Sequence, residues 1–200
     1  MSKMDSNPVT PVREQILDSA WKRFAQYGYG KTTMAEIAKD CRMSAANLYR
    51  FFKNKEGIGM ALACQCLGEK EQRLREILQR PGLSAAERLQ TFILELFHYT
   101  YEQFHDQPRI NELVDTIMKE YTNVVTQHKD MARSLLATIL TEGNRTGEFD
   151  IHDPTITAET IMTAATIFCV PYFIGWHTKE EFERLAKDMV NTFIRGLAKR

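Results

Sequence analysis

Apolar residues recur every three or four positions along almost the whole chain, the spacing that gives a helix one buried face. Val12, Ile16, Leu17, Ala20, Trp21 and Phe24 form the first such face. Thr10 and Pro11 open it as N-cap and first-turn proline, and Gly28 and Gly30 close it. Thr33 with Glu36, Ser84 with Glu87 and Thr178 with Glu181 are spaced as capping boxes and mark three further helix starts. Asn54 is placed to cap a long helix running to about Gln79, which Pro81-Gly82 terminates. Beyond it, one stripe runs from Leu89 to Phe104, another from Ile110 through Tyr121 to Val125, and a third from Met131 to Ile139. Gly143 to Asp153 reads as a polar connection, and Asp153-Pro154 opens the next helix. Phe182, Leu185, Met189, Val190, Phe193 and Leu197 make the face of the last. No alternating strand pattern, fixed-period repeat or low-complexity tract interrupts the series. The pattern predicts an all-α fold of about nine helices.

Composition narrows the class. Of 200 residues, 44% are hydrophobic and 26% charged, which supplies a sizeable core and excludes disorder. The 26 basic and 26 acidic side chains cancel, so the whole-chain charge points to no partner. A split near Glu56 changes that: residues 1–56 carry ten Lys/Arg against six Asp/Glu, and residues 57–200 carry sixteen against twenty. The expectation is a short basic head, 1–56, that binds an anion and a longer acidic body, 57–200. Met1 to Pro8 is polar and lacks the apolar stretch of a secretory signal, so Cys41, Cys64, Cys66 and Cys169 read as reduced thiols of a cytoplasmic protein. Between Glu159 and Lys179 lie 19 residues free of Asp, Glu, Lys and Arg, close to the ~20 that span a bilayer. Thr160, Thr163, Thr166, Pro171 and Gly175 break that stretch and no second one exists, so a buried interface helix is expected and no membrane.

The informative segment is Thr33 to Phe52, TMAEIAKDCRMSAANLYRFF. Two short helices around a tight turn need a small residue where they cross and apolar residues that lock the pair. Ala38 is the small contact, with Ile37 and Cys41 beside it and Met43, Leu48 and Phe51 after the turn, and Ser44 is placed to cap the second helix. That is the helix-turn-helix spacing, whose second helix enters the major groove of DNA. The first helix, REQILDSAWKRFAQYGYGKTTMAEIA, and the block MSAANLYRFFKNKEGI resemble the tetracycline-repressor (TetR) family of bacterial transcriptional regulators. The shared hallmarks are Gly28, Thr32-Thr33, Leu48-Tyr49, Phe51-Phe52 and Lys55-Glu56, all within about the first sixty residues. Arg42 departs from the pattern, standing at a turn position where such motifs usually carry Gly. A positive φ there costs an Arg of order 1 kcal/mol.

Each residue of the motif has chemistry suited to a duplex. Thr32 and Thr33 at a helix start can offer hydroxyl and backbone N–H groups to a phosphate, and Tyr49, Lys53 and Lys55 can reach the sugar-phosphate backbone. Ser44, Ala45, Ala46 and Asn47 open the recognition helix and face base edges, with Asn47 suited to adenine and an Ala methyl to a thymine methyl. Arg50 suits phosphate or guanine. Leu48, Phe51, Phe52, Trp21 and Phe24 are expected to be structural. Cys41 is expected to be a small core residue, the alternative being a redox switch.

The resemblance implies a cytoplasmic, dimeric repressor of a near-palindromic double-stranded DNA operator, released by a small effector bound in the C-terminal body. The residues point to a homodimer through the last two helices, about 154–176 and 179–199, because the first of them, free of charge after Glu159, must be covered. A hydrophobic effector would sit among Phe97, Tyr101, Phe104, Met118, Tyr121, Met162, Phe168 and Tyr172, with Phe92 nearby. The same side chains also suit a plain core. His98, His105, His128 and Glu120 are the polar candidates beside them. No nucleophile elbow, carboxylate pair, phosphate loop or zinc spacing is present, so no enzyme, metal or cofactor is expected. A regulator without an effector shares all these features, and an all-α lipid carrier or enzyme is a more distant alternative.

Overall fold

The computed structural model describes residues 11–199, and the expected cap at Thr10 lies outside them. The described residues form ten α-helices and two short 3-10 turns, with no strand beyond an isolated antiparallel bridge between Phe149 and Ala198. The all-α expectation holds.

Three helices make the head: α1 (Pro11–Tyr27), α2 (Met34–Asp40) and α3 (Ala45–Phe51). Gly28 ends α1 with φ +91°, a left-handed conformation that disfavours any side chain. Thr33 caps α2 through a complete capping box, and the Ser44 hydroxyl caps α3 by accepting from Asn47 N. Arg42 does adopt a positive φ, +55°, so this turn carries the strain that a glycine would spare it.

From the head runs α4 (Lys55–Gln79), capped by Asn54, whose side chain accepts from Gly57 N at 2.9 Å. Its 25 residues reach roughly 37 Å at 1.5 Å per residue. The body adds α5 (Ala85–Phe104), α6 (Asn111–Glu120), α7 (Thr122–Thr146), α8 (Pro154–Ala164), α9 (Thr166–Cys169) and α10 (Lys179–Leu197). The 3-10 turns are Pro108–Ile110 and Pro171–Trp176.

Three expectations are corrected. The stripe from Ile110 to Val125 is not one helix: the chain breaks at Tyr121 (φ −127°, ψ 45°), whose side chain turns in against the head's core. After that break, α7 runs unbroken to Thr146 and ends at Gly147 (φ +78°), so the polar connection begins later than Gly143. The segment 154–176, free of charge after Glu159, is divided into α8, α9 and a 3-10 turn, which raises the count above nine. Nor is it buried all round within one chain, since Ile156, Tyr172 and Trp176 are 63%, 57% and 59% exposed.

Packing divides into two cores. The larger holds α5, α7 and α10 together, with Phe92, Phe97, Leu136, Ile139 and Phe182 fully enclosed. The smaller joins Ile16, Ala20, Phe24, Ile37, Leu48 and Phe52 of the head to Ile58 and Leu62 of α4. It also takes in Ile110, Leu113 and Ile117, from the body side of the chain. A cut after residue 56 would strip five of these side chains from the head's own core.

Candidate nucleic-acid interface and effector cavity

The recognition helix divides cleanly by burial. Leu48 is fully enclosed, whereas Ser44, Ala46, Tyr49 and Arg50 of the same stretch are exposed, as is Lys53 just beyond it. Ala45 and Asn47 are half-buried, and the Asn47 amide leans on Met43 Sδ at 4.0 Å. Tyr49 is 52% exposed, too much for a side chain that merely locks the motif. The head's ion pairs gather on Arg23, which bonds both Asp40 oxygens at 2.5 and 3.0 Å and reaches Glu36 at 3.3 Å, clamping α1 to α2. Among the described residues neither Arg50 nor Lys53 pairs with a carboxylate. An exposed tyrosine and two cations without a carboxylate partner among the described residues thus lie on α3 and just beyond its end.

Three other expected contacts are placed differently. Thr32 is buried and its hydroxyl donates to Gly28 O at 2.8 Å, which closes the loop after α1. Thr33 is exposed, but its N–H and hydroxyl both donate to Glu36 Oε2, at 2.9 and 2.8 Å. Those bonds hold the Glu36 carboxyl below the usual range. The Lys55 ammonium donates to Tyr29 O at 2.8 Å and Gly30 O at 3.3 Å and lies 4.5 Å from the Tyr29 ring centre. Lys55 therefore ties the loop to the start of α4 and does not project outward. Cys41 is buried, as expected of a core residue.

Head and body meet through α6 and the 3-10 turn that precedes it. Gly30 N donates to Glu112 Oε2 at 2.9 Å, and Arg109 donates to Gln26 O at 2.5 Å. A Cβ at Gly28 would stand 2.7 Å from the Glu112 carboxylate, so that glycine serves a close approach as well as a turn.

Behind this junction lies a cavity of about 190 Å³ between α1, α4, α5, α6, α7 and the segment around Cys169. Of the residues expected around an effector, Phe104, Met118 and Met162 line it. Phe97 and Phe168 are instead packed into the large core, where bulky rings leave no space. Tyr101 stacks on His105 at 4.3 Å, Tyr121 packs on the head's core, and Tyr172 is exposed. Of the polar candidates, His128 lines the cavity with its Nδ1 3.1 Å from Glu71 Oε2. His98 and His105 pair elsewhere, with Glu183 and Asp106, and Glu120 is exposed.

The expectations missed Trp21, Cys66, Lys70 and Tyr99, which also line it. Lys70 left a sequence signal: it falls in the series Leu62, Cys66, Lys70, Leu74 at steps of four, on the inward stripe of α4. Burial pushes the Cys66 thiol up to about 11 and holds the Lys70 ammonium below the usual lysine range.

Residues 16–62 match the family model described as bacterial regulatory proteins, tetR family. Residues 85–190, more than half of the chain, match the one described as tetracyclin repressor-like, C-terminal domain. The chain belongs to the TetR family. Its relatives include the HTH-type transcriptional regulator QacR of Staphylococcus aureus, 25% identical over 94% of this chain and 99% of that one. The fatty acid metabolism regulator protein of Bacillus subtilis is 27% identical over 69% of this chain and 71% of its own. Among solved structures, a transcriptional regulator from Cytophaga hutchinsonii superposes with a TM-score of 0.73 at 26% identity, covering 93% and 98% of the two chains. This TetR-family chain is thus a DNA-binding transcriptional regulator, and the relatives it matches are regulators, not enzymes. Among the described residues no helix is long and apolar enough to cross a membrane.

Proposed function

We propose that this regulator represses transcription in the cytoplasm as a homodimer on a near-palindromic operator, and that a small apolar effector in the α4–α6 cavity releases it. The observation that carries the DNA reading is the carboxyl end of α3 and the residues just after it, where Tyr49, Arg50 and Lys53 are exposed and the two cations have no carboxylate partner within the described residues. Ser44, Ala46 and Asn47, at the amino end of that helix, face base edges in this arrangement. The apolar exposure of Ile156, Tyr172 and Trp176 supports a partner on the segment 154–176. The outer side of α10 carries ion pairs such as Arg184–Asp188 and Lys187–Glu183, so its share of the interface is polar. The head is the unit whose core spans residues 16–62, and α4 joins it to the body. The relative named for fatty acid metabolism accords with an apolar effector.

Release would work as a shift between two states, limited by the effector's difference in affinity for them. Trp21 of α1 and Leu113 and Met118 of α6 line the cavity, so an occupant touches the head as well as the helix that holds Gly30. Glu112→Ala is expected to speed hydrogen exchange at the Gly30 amide about fivefold, the loss of one hydrogen bond of ~1 kcal/mol. An unchanged exchange rate would show that this contact transmits nothing.

The test of the function is a shift assay with footprinting on DNA flanking the gene, at varied salt. A saturable complex over a near-palindrome is expected, weakening with a log–log slope of about −0.9 per phosphate contacted. If neither that DNA nor any sequence enriched by selection gives a saturable complex, the reading fails.

A further inference from the structure

The cavity holds a charge that its apolar walls do not explain. Its lining is dominated by Leu, Ile, Val and aromatic side chains, yet Lys70 stands in the middle of the α4 stripe facing it. The Lys70 ammonium makes one hydrogen bond, to Cys169 O at 3.2 Å, out of the three it can donate. It lies 5.7 Å from the Tyr99 ring centre, and among the described residues it has no carboxylate partner. The one carboxylate in the lining, Glu71, is already committed to close contacts with Arg75 and His128. Lys129 adds a second cation at the rim. The lining is therefore apolar with a net positive charge, and its half-buried cation keeps two donors unused.

Resting on the reading of this cavity as the effector site, we infer that its ligand is a small monocarboxylate with an apolar body, the carboxylate bonded to Lys70 Nζ. A cation half withdrawn from water, with spare donors facing apolar walls, is costly to the fold unless an anion completes it. The size follows from the space: a cavity of about 150 Å³ accommodates benzene, so about 190 Å³ suits one ring or a short alkyl chain bearing the acid group. Burial holds the ammonium below its usual range, and a bound carboxylate would reverse that tendency.

Trp21 in the cavity wall reports occupancy directly. In the full chain carrying Trp176→Phe, which leaves Trp21 as the sole indole, titration with 3-phenylpropanoate and with hexanoate should shift the emission saturably. The matching amides, of the same shape without the charge, should bind about tenfold to a hundredfold more weakly, the worth of a charge-assisted hydrogen bond in a dry site. Lys70→Met should abolish that preference while leaving the amide's own affinity within a fewfold. The comparison between acid and amide needs no variant at Lys70, so it stands whether or not Lys70→Met folds. Equal binding of acid and amide, or no binding of either, overturns the inference, as does a preference that survives in a folded Lys70→Met. Acids that bind with this preference and leave the operator complex intact would uphold the ligand class and sink the effector reading above.

Discussion

Tyr49→Ala combined with Lys53→Ala should lower operator affinity about a thousandfold with little change in thermal stability. Both side chains are exposed, so neither contributes much to the head's own packing. A hydrogen bond or phosphate contact is worth ~1 kcal/mol, and two residues in each of two protomers make four such contacts. At 1.4 kcal/mol per decade, roughly 4 kcal/mol is close to three decades. The salt dependence should also flatten by about two in log–log slope, because one lysine is lost from each half-site. Titrations at several salt concentrations read both quantities at once. Wild-type affinity in the double variant would remove the outer side of α3 from the DNA interface, whatever else the protein binds.

Phe24→Ala should cost the fold about 3–5 kcal/mol, the usual penalty for emptying the site of a fully buried phenylalanine. Phe24 meets Tyr29 edge-on, with ring centres 5.1 Å apart, and the Tyr29 carbonyl in turn accepts from Lys55. The vacancy therefore undermines the loop after α1 and the start of α4 together. For a chain of 200 residues that loss corresponds to a melting temperature lower by roughly 6–20 °C. Phe24→Leu, which refills most of the space, should recover more than half of it. A loss under about 1 kcal/mol in Phe24→Ala, by urea denaturation, would mean that the smaller core is loosely packed and closes over the gap.

What the sequence made legible is mostly what neighbours decide. The three capping boxes form where Thr33, Ser84 and Thr178 precede a glutamate by three residues, since the bonds involved close within one turn. The strained turn at Arg42 belongs to the same local chemistry. The break at Tyr121 escaped because no glycine or proline marks it: the chain leaves its helix so that one aromatic ring can join a core built elsewhere. The cavity was only partly legible, through Phe104, Met118 and Met162, for a different reason. Counting aromatic residues cannot separate rings that fill space, such as Phe97 and Phe168, from rings that border a void, such as Trp21, Tyr99 and Phe104. The bond from Gly30 to Glu112 spans 82 residues, and no periodicity reports a pairing at that distance.

That last bond bears on protein engineering. Regulators of this architecture invite recombination, a head from one parent and a sensor from another, spliced in the long connecting helix. Here a transplanted head would arrive with the Gly30 amide unanswered and with an apolar face, normally covered by Ile110, Leu113 and Ile117, open to water. The exchangeable unit is discontinuous in the chain: residues 16–62 travel with 108–117 or are remade to fit the host's equivalent of α6.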